Sequence, residues 1–249
     1  MGKIVCVANQ KGGVGKTTTA VNLAVGVART GARTLLIDLD PQCNATTGLG
    51  ETPAARHPLV VEQPLWDSLR ETYVPDLKLL PGSRSFQDVD LLAKGEGMQD
   101  AVLRQHLQSG LGSYDWVIID SPPSLGPLTQ MALAASSEVL IPIQCEYFAM
   151  EGLAQMIQVI RDKVMRRKNT KLKFGGIVLT MYDPTLELTH EVHDQVIDYF
   201  GEIVFETVIP RDVAVCEAPS HGLAVLDYAP RSRGARAYLE LCVEALNRE

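Results

Sequence analysis

Residues 9 to 19 read Asn-Gln-Lys-Gly-Gly-Val-Gly-Lys-Thr-Thr-Thr, and no other run restricts the fold so strongly. Gly15-Lys16-Thr17 is the second half of the phosphate-binding loop G-x-x-x-x-G-K-[ST], which needs a strand before it and a helix after it. The flanks supply both: Lys3 to Ala8 is β-rich, and Thr18 to Arg29 has helical character. The loop departs from the ordinary pattern at its start. Position 10 is Gln10 instead of glycine, and Lys11 stands directly before Gly12-Gly13. This is the deviant Walker A arrangement, x-K-G-G-x-G-K-T. A second lysine at the mouth of the loop suggests a charge delivered to the phosphates of a neighbouring subunit, and therefore a dimer.

The residue types predict the chemistry. Backbone N–H groups of Gly12, Gly13, Val14, Gly15 and Lys16, uncrowded by side chains, can wrap around an anion. The helix that follows points its positive end at the same place. Lys16 is expected to reach the β and γ oxygens, Thr17 to ligate Mg²⁺ and Thr18 to donate to the α-phosphate.

Apolar β-rich runs recur at Thr34–Asp38, Leu77–Leu80, Trp116–Asp120, Val139–Ile143, Gly176–Thr180 and Val204–Ile209. Helical periodicity separates them, seen best at Leu153, Met156, Ile157, Ile160 and Val164. Continuous apolar strands between helices predict an α/β fold: a doubly wound, mostly parallel sheet with helices on both faces, the P-loop NTPase plan. No repeat or linker interrupts the chain, so residues 1–249 are expected to form a single domain. Gly48 to Pro64, without periodicity, is expected to be a surface excursion. Asp38 and Asp40 end one strand two positions apart, a spacing that sends both carboxylates to one face. Trp116-Val117-Ile118-Ile119-Asp120 has Walker B form, with Asp120 placed to hold a magnesium-bound water. All three aspartates fall at carboxyl ends of strands, where such sheets bind ligands.

Composition excludes other classes. The net charge of −7 from 23 basic and 30 acidic residues gives no global attraction to nucleic acid or anionic lipid, so such contacts need a local patch. No apolar run approaches the roughly 18 residues of a membrane span. The chain enters its first strand almost at once, leaving no room for a secretion signal. Five cysteines without a C-x-x-C pair read as free thiols in a reducing cytoplasm. His190 and His193, three apart, lack a further metal ligand and read as a solvated helix face. Trp66 and Trp116 read as packing residues, and His221 as shaping a loop.

Several further runs carry a family resemblance: Asp38-Leu39-Asp40-Pro41-Gln42, Asp120-Ser121-Pro122-Pro123-Ser124-Leu125-Gly126 and Pro142-Ile143-Gln144-Cys145-Glu146-Tyr147. Ile209-Pro210-Arg211-Asp212, Glu217-Ala218-Pro219-Ser220-His221-Gly222 and Ser232-Arg233-Gly234-Ala235 extend it to the last helix. With the loop, they make the chain resemble the ParA/Soj family of partition ATPases. The resemblance implies a cytoplasmic switch, with the nucleoid a candidate location, that binds ATP or ADP with Mg²⁺ and hydrolyses ATP slowly. It implies an ATP-dependent homodimer stimulated by a ParB-like partner. Lys11 would contact nucleotide across the dimer and, with Lys16, stabilise phosphate charge during hydrolysis. Asp40 would orient the attacking water, and Thr17 would bind Mg²⁺ with Asp120 behind it. Pro210 and Asp212 would hold adenine, favouring ATP over GTP.

Two departures bear on output. Family members that bind non-specific DNA carry arginine in a Met-x-Asp-x-Arg-Thr stretch and two residues after a Pro-Arg-Asn turn. Here Leu186 follows Met181-Tyr182-Asp183-Pro184-Thr185 without that arginine, and Ala214 takes the second position. Each lost arginine removes a phosphate contact. Arg161, Lys163, Arg166, Arg167, Lys168, Lys171 and Lys173 form one replacement patch, and Arg231, Arg233 and Arg236 another. The alternative output is positioning of a protein cargo or organelle by the same ATPase core with little DNA binding. Cys43 also stands where the family has glycine. A nitrogenase-type reductase would need two cluster-bridging cysteines per subunit. A MinD-like membrane switch would need a basic amphipathic terminus, whereas residues 239–249 carry three glutamates and one arginine on the polar face.

Overall fold

The apolar runs are strands, and they form one eight-stranded sheet in the order β3-β4-β2-β5-β1-β6-β7-β8. The structure, a computed structural model, describes residues 2–61, 63–86, 99–147, 149–165 and 171–248. The strands are β1 (Lys3–Val7), β2 (Thr34–Asp38), β3 (Arg70–Glu71), β4 (Leu77–Leu80), β5 (Trp116–Asp120), β6 (Glu138–Gln144), β7 (Lys173–Tyr182) and β8 (Val204–Pro210). All neighbours pair in parallel except β3 with β4. The two-residue edge strand β3 escaped the sequence reading because it is too short to show a pattern.

The described helices are α1 (Lys16–Ala28), α2 (Asn44–Gly48), α3 (Pro58–Val61), α4 (Gln99–Gly110), α5 (Pro127–Ala135), α6 (Ala149–Ile160), α7 (Glu187–Phe200), α8 (Val213–Glu217), α9 (Val225–Tyr228) and α10 (Arg233–Asn247). Alternation along the strands divides the core in two. Ile4, Cys6, Leu35, Ile37, Val117 and Ile119 face α4, α5 and α6, including the expected Leu153, Met156, Ile157 and Ile160. Val5, Val7, Leu36, Trp116 and Ile118 face α1, α9 and α10. A Cβ on Gly26 would lie 2.2 Å from the Cys242 sulfur, so glycine lets α10 press onto α1.

This winding positions the site. From β1 the chain travels over one face through α1 to β2, whereas β5 connects over the other face through α5 to β6. The two connections diverge around β1 and open a crevice at its carboxyl end, the place where doubly wound sheets bind ligands. The stretch 48–64 is more than a surface excursion. It turns inward to bury Leu59 and His57, with the His57 ring centroid 4.2 Å from that of Phe86.

Candidate active site

The loop after β1 is anchored from three sides. Asn9, buried, donates from Nδ2 to the Pro142 carbonyl at 2.8 Å and accepts the Lys11 N–H on Oδ1 at 2.9 Å. Thr180, at the end of β7, has its hydroxyl 2.9 Å from the Val14 carbonyl and 3.0 Å from that of Ile143. Gly13 and Gly15 sit at φ 74° and 83°, a left-handed backbone open to glycine at little cost, and Gly15 opens α1. The Gly12, Gly13, Val14 and Gly15 N–H groups make no hydrogen bond to the described protein, which leaves successive backbone donors open to an anion. Lys16 is buried and its Nζ donates to the Lys11 carbonyl at 2.9 Å. Burial lowers its pKa, while Asp120 and Asp40 pull in the opposite direction.

The three aspartates have different surroundings. Asp38 and Asp120 are register partners on β2 and β5. Both Asp120 oxygens are buried without a hydrogen-bond partner of normal geometry. Burial pushes its pKa well above the carboxylate range, reinforced by Asp38. The Thr17 hydroxyl and the Lys16 ammonium oppose that rise, the hydroxyl from beyond normal hydrogen-bond geometry. A buried, unpaired carboxylate beside a hydroxyl fits a hydrated divalent cation, which would relieve the desolvation. Among the described residues no group of three His, Cys, Asp or Glu is arranged to hold a metal alone. Mg²⁺ keeps waters and phosphate oxygens in its shell, so a hydroxyl and one carboxylate behind a water are protein ligands enough for it.

Asp38 departs from the expectation of two carboxylates aimed at the phosphates. It is fully buried and its oxygens are occupied by the Thr46 N–H at 2.9 Å, the Thr46 hydroxyl at 2.6 Å and the Asp40 N–H at 3.1 Å. Burial raises its pKa to about 6 despite those donors. The pleat rule fails because the chain leaves the strand at Asp38, so the i, i+2 relation no longer holds. Asp40 lies past the strand end, nearly buried, with Oδ1 taking the Gln42 N–H at 2.9 Å.

Lys11 behaves differently from Lys16. Its ammonium reaches outward to the Glu146 carboxylate, and both side chains are about half exposed. An ion pair so exposed contributes at most about 1 kcal/mol, so it exchanges readily for another anion. Tyr147 beside it is 75% exposed. Glu146 and Asn9 received no role from the sequence. Asn9 had a legible signal, a polar residue capping a buried strand.

Pro210 ends β8, and Asp212 caps two helices. Its Oδ1 accepts the Ala214 N–H at 3.0 Å, and its Oδ2 accepts the Gly234 N–H at 2.8 Å, tying α8 to the start of α10. Each donor has its own carboxylate oxygen, and an asparagine in the same pose would turn its NH₂ toward one of them. A cavity of about 270 Å³ begins at Thr17 and Thr18 and runs between α1, α2 and the α8 end, where Val215, Ala218 and Pro219 form its wall. Neither Pro210 nor Asp212 lines it. Cys43 and Met181 hold φ of 57° and 52°. The glycine that the family has at Cys43 is thus a left-handed position, where a side chain costs about 1 kcal/mol.

The remaining candidates separate cleanly. His190 has the Tyr182 hydroxyl on Nδ1 and the Pro184 carbonyl on Nε2, each at 3.0 Å, and His193 contacts Asp194. His221 stacks on Tyr228 at 4.7 Å. Of the long basic cluster, Arg161 lies over Phe174 at 5.7 Å, while Arg166, Arg167 and Lys168 lie outside the described residues. Arg211, Arg231, Arg233 and Arg236 are all exposed, and the Thr185 hydroxyl and N–H hold the Asp183 carboxyl below its ordinary pKa, with smaller help from Arg211 and Arg233. Among the described residues no helix is long and apolar enough to cross a membrane. The outer face of α10 instead shows Leu239 and Val243 among glutamates, while Tyr238, Leu241 and Cys242 are buried.

The parallel sheet, its diverging connections and a glycine cradle with one inward and one outward lysine define a P-loop nucleotide-binding protein of the deviant Walker A class. A family model described as an AAA domain matches residues 2–174. The sporulation initiation inhibitor protein Soj of Bacillus subtilis is 44% identical over 249 residues, covering 98% of each chain. The chromosome-partitioning ATPase Soj of Treponema pallidum is 44% identical over 251 residues, covering 100% of this chain and 99% of its own. Among solved structures, cobyrinic acid a,c-diamide synthase from Mycobacterium smegmatis with bound ADP and magnesium superposes with a TM-score of 0.84. It is 33% identical and covers 98% of this chain and 93% of its own. The chain belongs to the ParA/Soj family of partition ATPases.

Proposed function

We propose that residues 1–249 act as one domain, a slow Mg²⁺-dependent ATPase whose nucleotide state controls homodimerisation in chromosome or plasmid partitioning. The observation that carries this reading is the division of labour between the lysines. Lys16 is buried inside its own loop, whereas Lys11 stands outside it on an exchangeable partner, Glu146. Gly12 to Lys16 would cradle the phosphates through their N–H groups, with Lys16 holding the β and γ oxygens. Thr17 and, through water, Asp120 would hold Mg²⁺, which neutralises charge between those oxygens. Thr18 would donate to the α-phosphate. Asp40 would orient the attacking water. Lys11, released from Glu146, would reach the phosphates of the second subunit. Pro210 would pack on adenine, and Asp212 would accept from its amino group with a lone pair left free by its two N–H bonds.

For the track, Arg211, Arg231, Arg233 and Arg236 are exposed just after β8 and around the start of α10, whose Gly234 is tied to Asp212. They would replace the absent family arginines as a contact for nucleoid DNA. A second reading rests on a specific observation: Leu186 and Val213 are 53% and 69% exposed beyond the ends of β7 and β8. Apolar groups there favour a protein cargo. A ParB-like activator fits either output. The switch is tested with Asp40→Ala, which should bind ATP, accumulate as a dimer and release no phosphate. Normal phosphate release by that variant would remove Asp40 from the chemistry.

A further inference from the structure

The segment from Asp38 to Thr46 is a loop closed on itself. At its start, Asp38 accepts the Asp40 N–H on Oδ1 at 3.1 Å. At its far end, Thr46 returns to the same carboxylate, its N–H at 2.9 Å and its hydroxyl at 2.6 Å from Oδ2. The Thr46 hydroxyl in turn accepts the Gly82 N–H at 2.8 Å, from the loop after β4. That fixes the hydroxyl completely: its lone pair takes Gly82, so its single proton goes to Asp38. Between the tied ends lie the Asp40–Cys43 turn, closed by the Cys43 N–H on the Asp40 carbonyl at 2.8 Å, and the left-handed Cys43.

We infer that Thr46 is a positioning residue for hydrolysis, clasping Asp38 so that the closed loop holds Asp40 at the reacting phosphate. This rests on the proposed role of Asp40. Thr46 is fully buried and lies outside the phosphate cradle of residues 11–18, so it acts through Asp38 and the loop, with Gly82 holding its hydroxyl in place. A loop with one strained residue and a clasp reduced to its backbone N–H bonds would relax at Cys43, and Asp40 sits three residues before it. Displacement of a water-orienting group lowers turnover steeply and leaves ground-state binding to the cradle.

The full-length protein with Thr46→Val keeps the side-chain shape and loses the hydroxyl. The expected result is a ten- to hundredfold fall in kcat for ATP, a KM and an ADP affinity within about twofold of the parent, and recovery with Thr46→Ser. If Thr46→Val does not fold, Thr46→Cys, with a weakly bonding thiol, takes its place. Parental kcat in the hydroxyl-free variant overturns the inference, as does a parallel loss of kcat and ADP affinity that serine does not rescue. Asp40→Ala run alongside separates the causes. If it still hydrolyses ATP, the reading of Asp40 has failed and takes the clasp with it. If it is inactive while Thr46→Val turns over normally, the clasp alone is refuted.

Discussion

Asp212→Asn tests whether the carboxylate that follows β8 is a two-helix bracket. The wild-type side chain accepts the Ala214 N–H at 3.0 Å and the Gly234 N–H at 2.8 Å, one on each oxygen. Asparagine keeps the shape but offers one oxygen, so whichever way the amide turns, an NH₂ faces an N–H. The substitution loses one charge-assisted bond and leaves a partly buried donor without an acceptor. Such changes cost about 1.5–3 kcal/mol in full burial, and partial exposure here brings the expectation to about 1–2 kcal/mol. For a domain of this size that is a fall in Tm of about 2–8 °C. Thermal unfolding followed by circular dichroism, without nucleotide, reads it directly. An ATP-over-GTP preference measured by competition should also narrow as the mutated end of α8 loosens. An unchanged Tm would refute the bracket, because the two N–H groups meet different oxygens of the carboxylate and an amide in that pose presents its NH₂ to one of them.

Three further outcomes follow from the site and its surroundings. Lys11→Ala should keep the fold and ADP binding yet lose the ATP-dependent dimer, and Glu146→Gln should strengthen that dimer by up to about fivefold, the reach of an exposed pair; light scattering that shows dimer in the first variant contradicts the trans role. His57 is buried with its pKa lowered to about 3, against 6.5 when unfolded. The unfolded state therefore binds more protons between those values, so stability is complete above pH 6.5 and declines as pH falls, by about 2 kcal/mol at pH 5. His57→Asn should flatten that slope in urea titrations at pH 7 and pH 5, and an equally steep loss would assign the effect elsewhere. Arg211→Glu with Arg233→Glu should abolish salt-sensitive, ATP-dependent retention on DNA, whereas unaltered gel shifts would move the contact or favour the protein-cargo reading.

Sequence patterning and tertiary packing contributed differently to these conclusions. Strands β2 and β5 have the predicted limits because fully buried parallel strands are near-continuous apolar runs, bounded where polarity resumes, and β4 keeps its limits although Lys78 interrupts its apolar run. β7 extends beyond Gly176–Thr180, since Lys173 and Tyr182 at its ends are not apolar core residues. The stretch 48–64 looked like surface because its few buried residues, among them His57 and Leu59, have no period.

What the chain determined by itself is local chemistry: a strand, a glycine loop and a helix contiguous in sequence, with Lys16 and Thr17 at fixed offsets. Those relations need no distant partner, so residues 9–19 sufficed to announce a phosphate site and an extra lysine. Everything that depends on contacts across the sheet was decided only by the tertiary structure. The sequence could send Asp38 and Asp40 to one face, yet Thr46, itself held by Gly82, ties Asp38 into its own loop, while Asp40 takes the Gln42 N–H beyond the strand end. Asp212 became a bracket through Gly234, 22 positions away. Lys11 met Glu146 across 135 positions. Hydrogen bonds of such separation leave no periodicity, because their geometry exists only after the strands between them have been ordered.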